Sequence, residues 1–127
     1  MAITIQQFFT AYVEAYRRQN VDAIASFFAA PCVVAESGSQ RVLADRIEIQ
    51  RYIQESLKSF AEQGVTSERL TIRSLLLLGD EFAVANVALS MLGSNRNLRT
   101  FHTAYNVRRA EGNWVIWAIT AHERFKD

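Results

Sequence analysis

The run from Leu98 to Arg124 constrains the fold more than any other: LRTFHTAYNVRR and NWVIWAITAHER are two long strand-like segments joined at Ala110-Glu111-Gly112. Successive side chains of a strand point to opposite faces. In the second segment one set is Val115, Trp117, Ile119 and Ala121, and the other is Trp114, Ile116, Ala118, Thr120 and His122. Neither set is polar. A sheet with one wet face alternates apolar and polar residues, so this sheet is expected to be covered on both faces. Helices of the same chain can cover one. At 127 residues the chain is a single domain by length, 1–127, able to bury about two-thirds of its unfolded surface, with little left for the second face. A homodimer through the sheet face is therefore expected.

Charge and cysteine usage narrow the partners. The formal charge is +1 with acids and bases interspersed, which offers no basic face to nucleic acid. No run of 18 or more apolar residues is present, so no membrane span is expected. The opening MAITIQQFF lacks the basic-then-apolar order of a signal peptide, which reads as a cytoplasmic protein. Cys32 is the single cysteine and is expected to be a small buried hydrophobe. His102 and His122 fall short of the three or four ligands zinc requires, so no metal is expected.

Ahead of the hairpin the period is helical, then strand-like. Thr4-Ile5-Gln6-Gln7 fits a capping box, with Ile3 and Phe8 at the staple positions. Ile5, Phe8, Phe9, Tyr12, Val13 and Tyr16 make one apolar stripe, predicting a first helix that stops near Gln19. Asn20 caps a second, VDAIASFFAA, ended by Pro31, after which Cys32 to Glu36 read as a strand. Ser37-Gly38-Ser39 is a turn leading into a polar connection through Arg41. Asp45 to Glu48 resemble a second capping box, and Ile49, Ile53, Leu57 and Phe60 carry a third helix to Gly64, with Tyr52 beside them. Strands follow over Glu68 to Leu78 and Phe82 to Leu92, with turns at Gly79-Asp80 and Gly93 to Asn97.

This order, and the runs AYVEAYRRQNVDAI (Ala11 to Ile24) and RRAEGNW (Arg108 to Trp114), resemble the nuclear transport factor 2-like superfamily, which includes ketosteroid isomerases and SnoaL-like polyketide cyclases. The resemblance implies an α+β, cone-shaped fold, with three N-terminal helices packed on a strongly curved antiparallel sheet in the order ααβαββββ. Laid on the ketosteroid isomerase pattern without gaps, the helical tyrosine falls on Tyr12 and the catalytic carboxylate on Glu36. The third group, an aspartate in that family, falls near Tyr105. Glu36 is longer than the family's aspartate, and Tyr105 replaces an acid with a phenol.

The chemistry of such a pocket can be argued directly. A carboxylate beside an apolar cavity is poorly solvated, which raises its pKa toward values useful to a general base. A tyrosine opposite can stabilise a developing oxyanion. The candidate catalytic residues are Glu36, Tyr12 and Tyr105, and the candidate ligand-binding residues are Tyr16, Phe8, Phe28, Phe60, Trp117 and His122, with Phe27 also in the expected lining. Which face Tyr105 shares depends on the 110–112 turn. A three-residue turn places it with Trp117 and Ile119, opposite His102, Asn106 and His122, and a two-residue turn exchanges the faces of the last strand. Arg41 and Arg99 flank the expected mouth.

Three functions compete on this reading. The first is a cofactor-independent isomerase, cyclase or dehydratase acting on an enolisable small molecule, with Glu36 as base. The second is a non-catalytic binder of a small apolar or aromatic molecule. The third is a dimeric interaction module whose Phe and Tyr side chains fill the cone.

Overall fold

A computed structural model describes residues 3–94 and 96–122, with Leu98 described by its backbone only. The expected continuation of the last strand to Arg124, and Asn95 in the expected turn, lie outside the described residues. α1 (Ile5–Arg17) forms where its cap and its stripe agree. Thr4 Oγ1 accepts from the Gln7 amide at 3.0 Å and Gln7 Oε1 accepts from the Thr4 amide at 2.9 Å, closing the capping box. Ile5, Phe8, Phe9, Tyr12 and Ala15 are its buried residues.

α2 (Val21–Ala25) is capped by Asn20, whose Oδ1 accepts from the Ala23 amide at 3.1 Å. It is half the expected length. The Phe27 carbonyl already accepts from the Ile116 amide at 2.8 Å, so the backbone there belongs to the sheet, and β1 (Phe28–Glu36) starts before Pro31 instead of after it. Pro31 sits in an irregular stretch, between Phe28 and Val33, where the β1 ladder shifts register. A missing amide is tolerated at such a place.

The segment expected to be a polar connection is β2 (Ser39–Leu43), folded back on β1 through Ser37-Gly38 with Glu36 opposite Ser39 and Cys32 opposite Leu43. Of its residues only Leu43 is buried, so no alternation marks it in the sequence. α3 (Arg46–Glu62) begins as expected at Asp45, which accepts from the Glu48 amide at 2.9 Å. Glu48 itself reaches one residue further back than a capping box requires, to the Ala44 amide at 2.8 Å. Gly64, at φ 80°, turns the chain out of the helix.

β3 (Ser67–Leu78), β4 (Phe82–Gly93), β5 (Arg96–Ala110) and β6 (Asn113–Ala121) form the expected meander, with Arg96 and Asn97 inside β5 and not in the turn before it. The sheet order is β2-β1-β6-β5-β4-β3. β1 and β6 run parallel while every other pair is antiparallel. The fold is α+β with a curved, mixed sheet, and the one departure from an antiparallel sheet is β1 on β6. The intervening α3 and meander supply the long crossover that a parallel pair needs. Register shifts interrupt the β3/β4, β4/β5 and β5/β6 ladders, and such bulges bend and twist a sheet.

The β5/β6 hairpin combines both alternatives for its register. Ala110 faces Asn113, so the turn has two residues, Glu111 (φ 54°) and Gly112 (φ 85°), both left-handed as a type I′ turn requires. Val107 then faces Ile116, but Asn106 faces Ala118, leaving Trp117 without an opposite residue. This inserted residue reverses the exchange of faces. Beyond it Tyr105 faces Ile119, as a three-residue turn would have had it, while Trp117 leaves that set and is 37 % exposed.

The core lies between the helices and one sheet face: Phe8, Phe9, Ile24, Ile53, Val87, Val107 and Ile116 are essentially inaccessible, as is Cys32. Burial pushes the Cys32 thiol up to about 11, in keeping with the hydrophobic role expected of it. The far half of β3 escapes this cover. Leu75 and Leu77 face Ala85 and Ala83, and Leu76 and Leu78 face Val84 and Phe82, yet all four leucines are 44–60 % exposed on the edge strand. No helix among the described residues is long and apolar enough to cross a membrane.

Candidate functional site

The cone is closed where Phe8, Val107 and Ile116 meet and open at the other end, where it holds a cavity of about 900 Å³. α1 contributes Tyr12 and Tyr16, α3 contributes Tyr52 and Phe60, and the sheet contributes Leu89, Met91, Phe101, Thr103, Tyr105 and Ile119. The stripe of α1 places its two tyrosines one turn apart, so their rings meet edge to face at 5.1 Å. Tyr12 Oη lies 3.2 Å from Tyr105 Oη, and their rings are 5.5 Å apart.

Burial pushes the hydroxyls of Tyr12, Tyr16, Tyr52 and Tyr105 well above the ordinary phenol range. Neighbouring groups add to this: Tyr105 and Tyr16 disfavour a phenolate at Tyr12. All four are therefore donors at any physiological pH.

Two carboxylates differ in their surroundings. Glu36 is exposed at the rim, at the last β1 position before the Ser37-Gly38 turn. Glu68 stands on β3 opposite Met91, and its Oε1 is buried with no hydrogen-bond partner. Desolvation raises the Glu68 carboxyl above the usual range, opposed by the positive charge of Arg17. Arg41 extends over the Tyr52 ring at 5.2 Å, with its Nη2 3.9 Å from Glu55 Oε1.

A family model described as NTF2-like protein (DUF6841) matches residues 3–124. The chain belongs to that family. No curated protein matches it in sequence. Among solved structures, this NTF2-like protein superposes on a cystatin-like domain from Nostoc punctiforme with a TM-score of 0.75 at 16% identity, covering 96% of this chain and 76% of that one. An NTF-2 like protein from Shewanella oneidensis gives 0.75 at 16% identity, with 94% and 96% covered. A ketosteroid isomerase-like protein from Erwinia carotovora atroseptica gives 0.69 at 13% identity, with 94% and 95% covered. Identities this low carry the fold alone.

On the NTF2-like frame the cavity brings together Tyr12, Tyr105, Tyr16 and Phe60, with Glu36 and His122 at its edge. Phe8 and Phe28 are not in the lining. Both are buried below it, Phe8 against Phe9 and Phe27 and Phe28 against Tyr12, because the stripe of α1 reaches the closed end first. Phe27 packs in the same layer, 5.7 Å from Tyr12. Trp117 is absent from the lining because the register shift removes it from the set of Tyr105 and Ile119.

His122 takes a mixed position: it touches the cavity edge, while its Nε2 lies 3.0 Å from Asn86 Oδ1 and its ring 6.2 Å from that of His102. Asn86 lies between the buried Ala85 and Val87 on β4 and so belongs to the opposite face of the sheet. Arg41 reaches the cavity and Arg99 instead lies over Phe101, 4.8 Å from its centroid.

Tyr52 and Glu68 were missing from the expected site. The signal for Glu68 was available in the period of two: Glu68, Leu70 and Ile72 form one set, a single acid in line with two residues that pack on the core.

Proposed function

We propose that this protein binds a small apolar or aromatic molecule in the open end of its cone, without a cofactor. The observation that carries this reading is the pair of phenols 3.2 Å apart at the back of a cavity of about 900 Å³. The volume is within the range of pockets for ligands of drug size. Tyr12 is linked to Tyr16 as well as to Tyr105, and the three hydroxyls carry three protons and use two between them. The third is free for an acceptor on the ligand, such as a carbonyl oxygen. A carbonyl held there would have its developing oxyanion stabilised by a donor that stays protonated.

In the enzymatic form of the proposal, Glu36 at the rim takes a proton from an enolisable carbon, making the protein an isomerase, cyclase or dehydratase. The test is a screen of enolisable carbonyl compounds for exchange of the acidic C–H with deuterium. Wild type is expected to accelerate exchange, Glu36→Gln to abolish the acceleration while retaining ligand affinity, and Tyr12→Phe to weaken both. Affinity without exchange in wild type would leave the non-catalytic binder. Absence of binding by any compound would remove the pocket reading altogether.

A second reading, the dimeric module, is favoured by the outer sheet face, where Phe82, Leu76, Leu78 and Val33 are exposed. We infer a homodimer through that face, which sedimentation tests: Ala104→Arg, at the centre of the outer face of β5, is expected to yield monomers. The single buried cysteine suits the reducing cytoplasm, which we propose as its setting.

A further inference from the structure

Packing does not account for the hydroxyl of Thr103. The residue stands on the inner face of β5, two positions from Tyr105, where it lines the cavity and is 7 % exposed. Across the ladders it faces Val87 on β4 and Ala121 on β6, neither of whose side chains can hydrogen-bond. A valine there would have the same shape and the same preference for a strand. The hydroxyl is what threonine adds, and it is uncommitted. Among the described residues its Oγ1 meets no donor or acceptor, yet it is not closed off from water.

Two serines of the wall are already engaged. Ser56 Oγ donates to the Tyr52 carbonyl at 3.1 Å, and Ser59 Oγ accepts from Gln63 Nε2 at 2.9 Å. Tyr105 reaches from the sheet to Tyr12 on α1, with the two hydroxyls 3.2 Å apart. Threonine is much shorter, so its hydroxyl stays at the sheet wall, about 7 Å along the strand from the base of Tyr105. Phe101 is next on that face, opposite Leu89, so the wall turns apolar beyond Thr103. An apolar group seated against the Thr103 hydroxyl would strip its water and return no hydrogen bond, which is costly. A polar group there recovers the bond.

We propose that Thr103 is a second polar anchor of the cavity and that the ligand is a hydroxycarbonyl compound. Its carbonyl lies on the phenols, its hydroxyl on Thr103 and its apolar remainder toward Phe101 and Leu89. This rests on the cavity being a ligand site and goes beyond it by giving the ligand a second oxygen and naming the residue that selects it. A hydroxyl both donates and accepts, as Thr103 does, so the pair fits whichever way the proton points and needs no charge on either side.

The experiment measures by calorimetry the binding of matched ketones in which a hydroxyl replaces a methyl: α-hydroxyacetophenone against propiophenone, and β-hydroxypropiophenone against butyrophenone. The pairs differ in the spacing of the second oxygen from the carbonyl. Wild type is expected to prefer the hydroxy ketone in at least one pair, by about threefold or more. Thr103→Val is expected to reverse that preference, weakening the hydroxy ketone by about tenfold and leaving its alkyl partner unchanged. Thr103→Ser, which retains the hydroxyl, is expected to keep it. The order in wild type is a test in itself, so the inference stays falsifiable if Thr103→Val fails to fold. Alkyl ketones that bind better in both pairs, or a preference that survives Thr103→Val, overturn the anchor and leave the cavity reading standing. An equal loss of all the ketones in Thr103→Val marks a structural role and overturns it likewise. Backbone amide shifts of cavity residues that respond to none of these ketones, nor to a panel of neutral aromatic fragments, overturn both.

Discussion

The two ends of the cone are built from the same stripe of α1 and the same strands, yet they differ in chemistry. At the closed end the stripe presents Phe8 and Phe9, which meet the apolar core that includes Ile24, Val107 and Ile116. One turn later it presents Tyr12 and Tyr16, which meet Tyr105, Tyr52 and the cavity. β5 changes in step: Val107 is sealed in the core, Tyr105 comes next on that face, and Thr103 follows as a buried polar residue. The transition from Phe and Val to Tyr and Thr shows where packing stops being the purpose of the interior. A phenol keeps the ring that a core needs and adds a hydroxyl that only a partner or a ligand can satisfy.

If that division is real, damage at the two ends must have different consequences. The largest effect is expected from Phe9→Ala, which empties the centre of the closed end. A loss of about 3–5 kcal/mol in urea denaturation is expected, and a loss below 1 kcal/mol would show that the closed end is not the stabilising half. Next comes Gly112→Ala, at the closed-end turn where φ is 85°. It should lose about 1–2 kcal/mol with no change in affinity for any cavity ligand.

Tyr105→Phe stands at the boundary. Removing one partner of the phenol pair is expected to destabilise by about 1 kcal/mol and to weaken a carbonyl ligand, whereas Gly112→Ala leaves the affinity of the folded protein unchanged. The smallest effect belongs to Glu68, and it has the opposite sign. Its carboxyl is raised in the folded state, so the native protein holds the proton more firmly than the unfolded chain does. Its contribution to stability is fully present below the unfolded carboxyl value and is lost as pH rises through the folded one. Glu68→Gln should therefore be slightly more stable than wild type at pH 7, with the gap closing in acid. A variant less stable than wild type at pH 7 would show that Glu68 is satisfied within the chain.

The closed end was largely legible in the sequence, and the open end was legible only in part. The capping box at Thr4 and the stripe from Ile5 to Tyr16 are local signals, and both formed as read. Tyr12 and Tyr105 entered the expected site through a family resemblance, and their contact depends on a hairpin register that composition does not encode. β2 was missed because four of its five residues are exposed, so it has no apolar face to announce it. α2 was read too long because Phe27 and Phe28 suit a helix as well as a strand. The deciding partner, the Ile116 amide, is distant in sequence. Tertiary pairing overrode local pattern there.

The unmatched Trp117 in the β5/β6 ladder makes the cavity wall a matter of counting. Every position on β6 after it owes its side to that single extra residue, while the positions before it owe theirs to the turn. Deletion of Trp117 would close the ladder up and leave Ile119 opposite Tyr105. A regular ladder that kept Trp117, opposite Asn106, would instead send Ile119 and Ala121 outward and bring Ala118, Thr120 and His122 to the inner side. One step of register thus separates this pocket from one walled by an imidazole and a hydroxyl, built from the same residues.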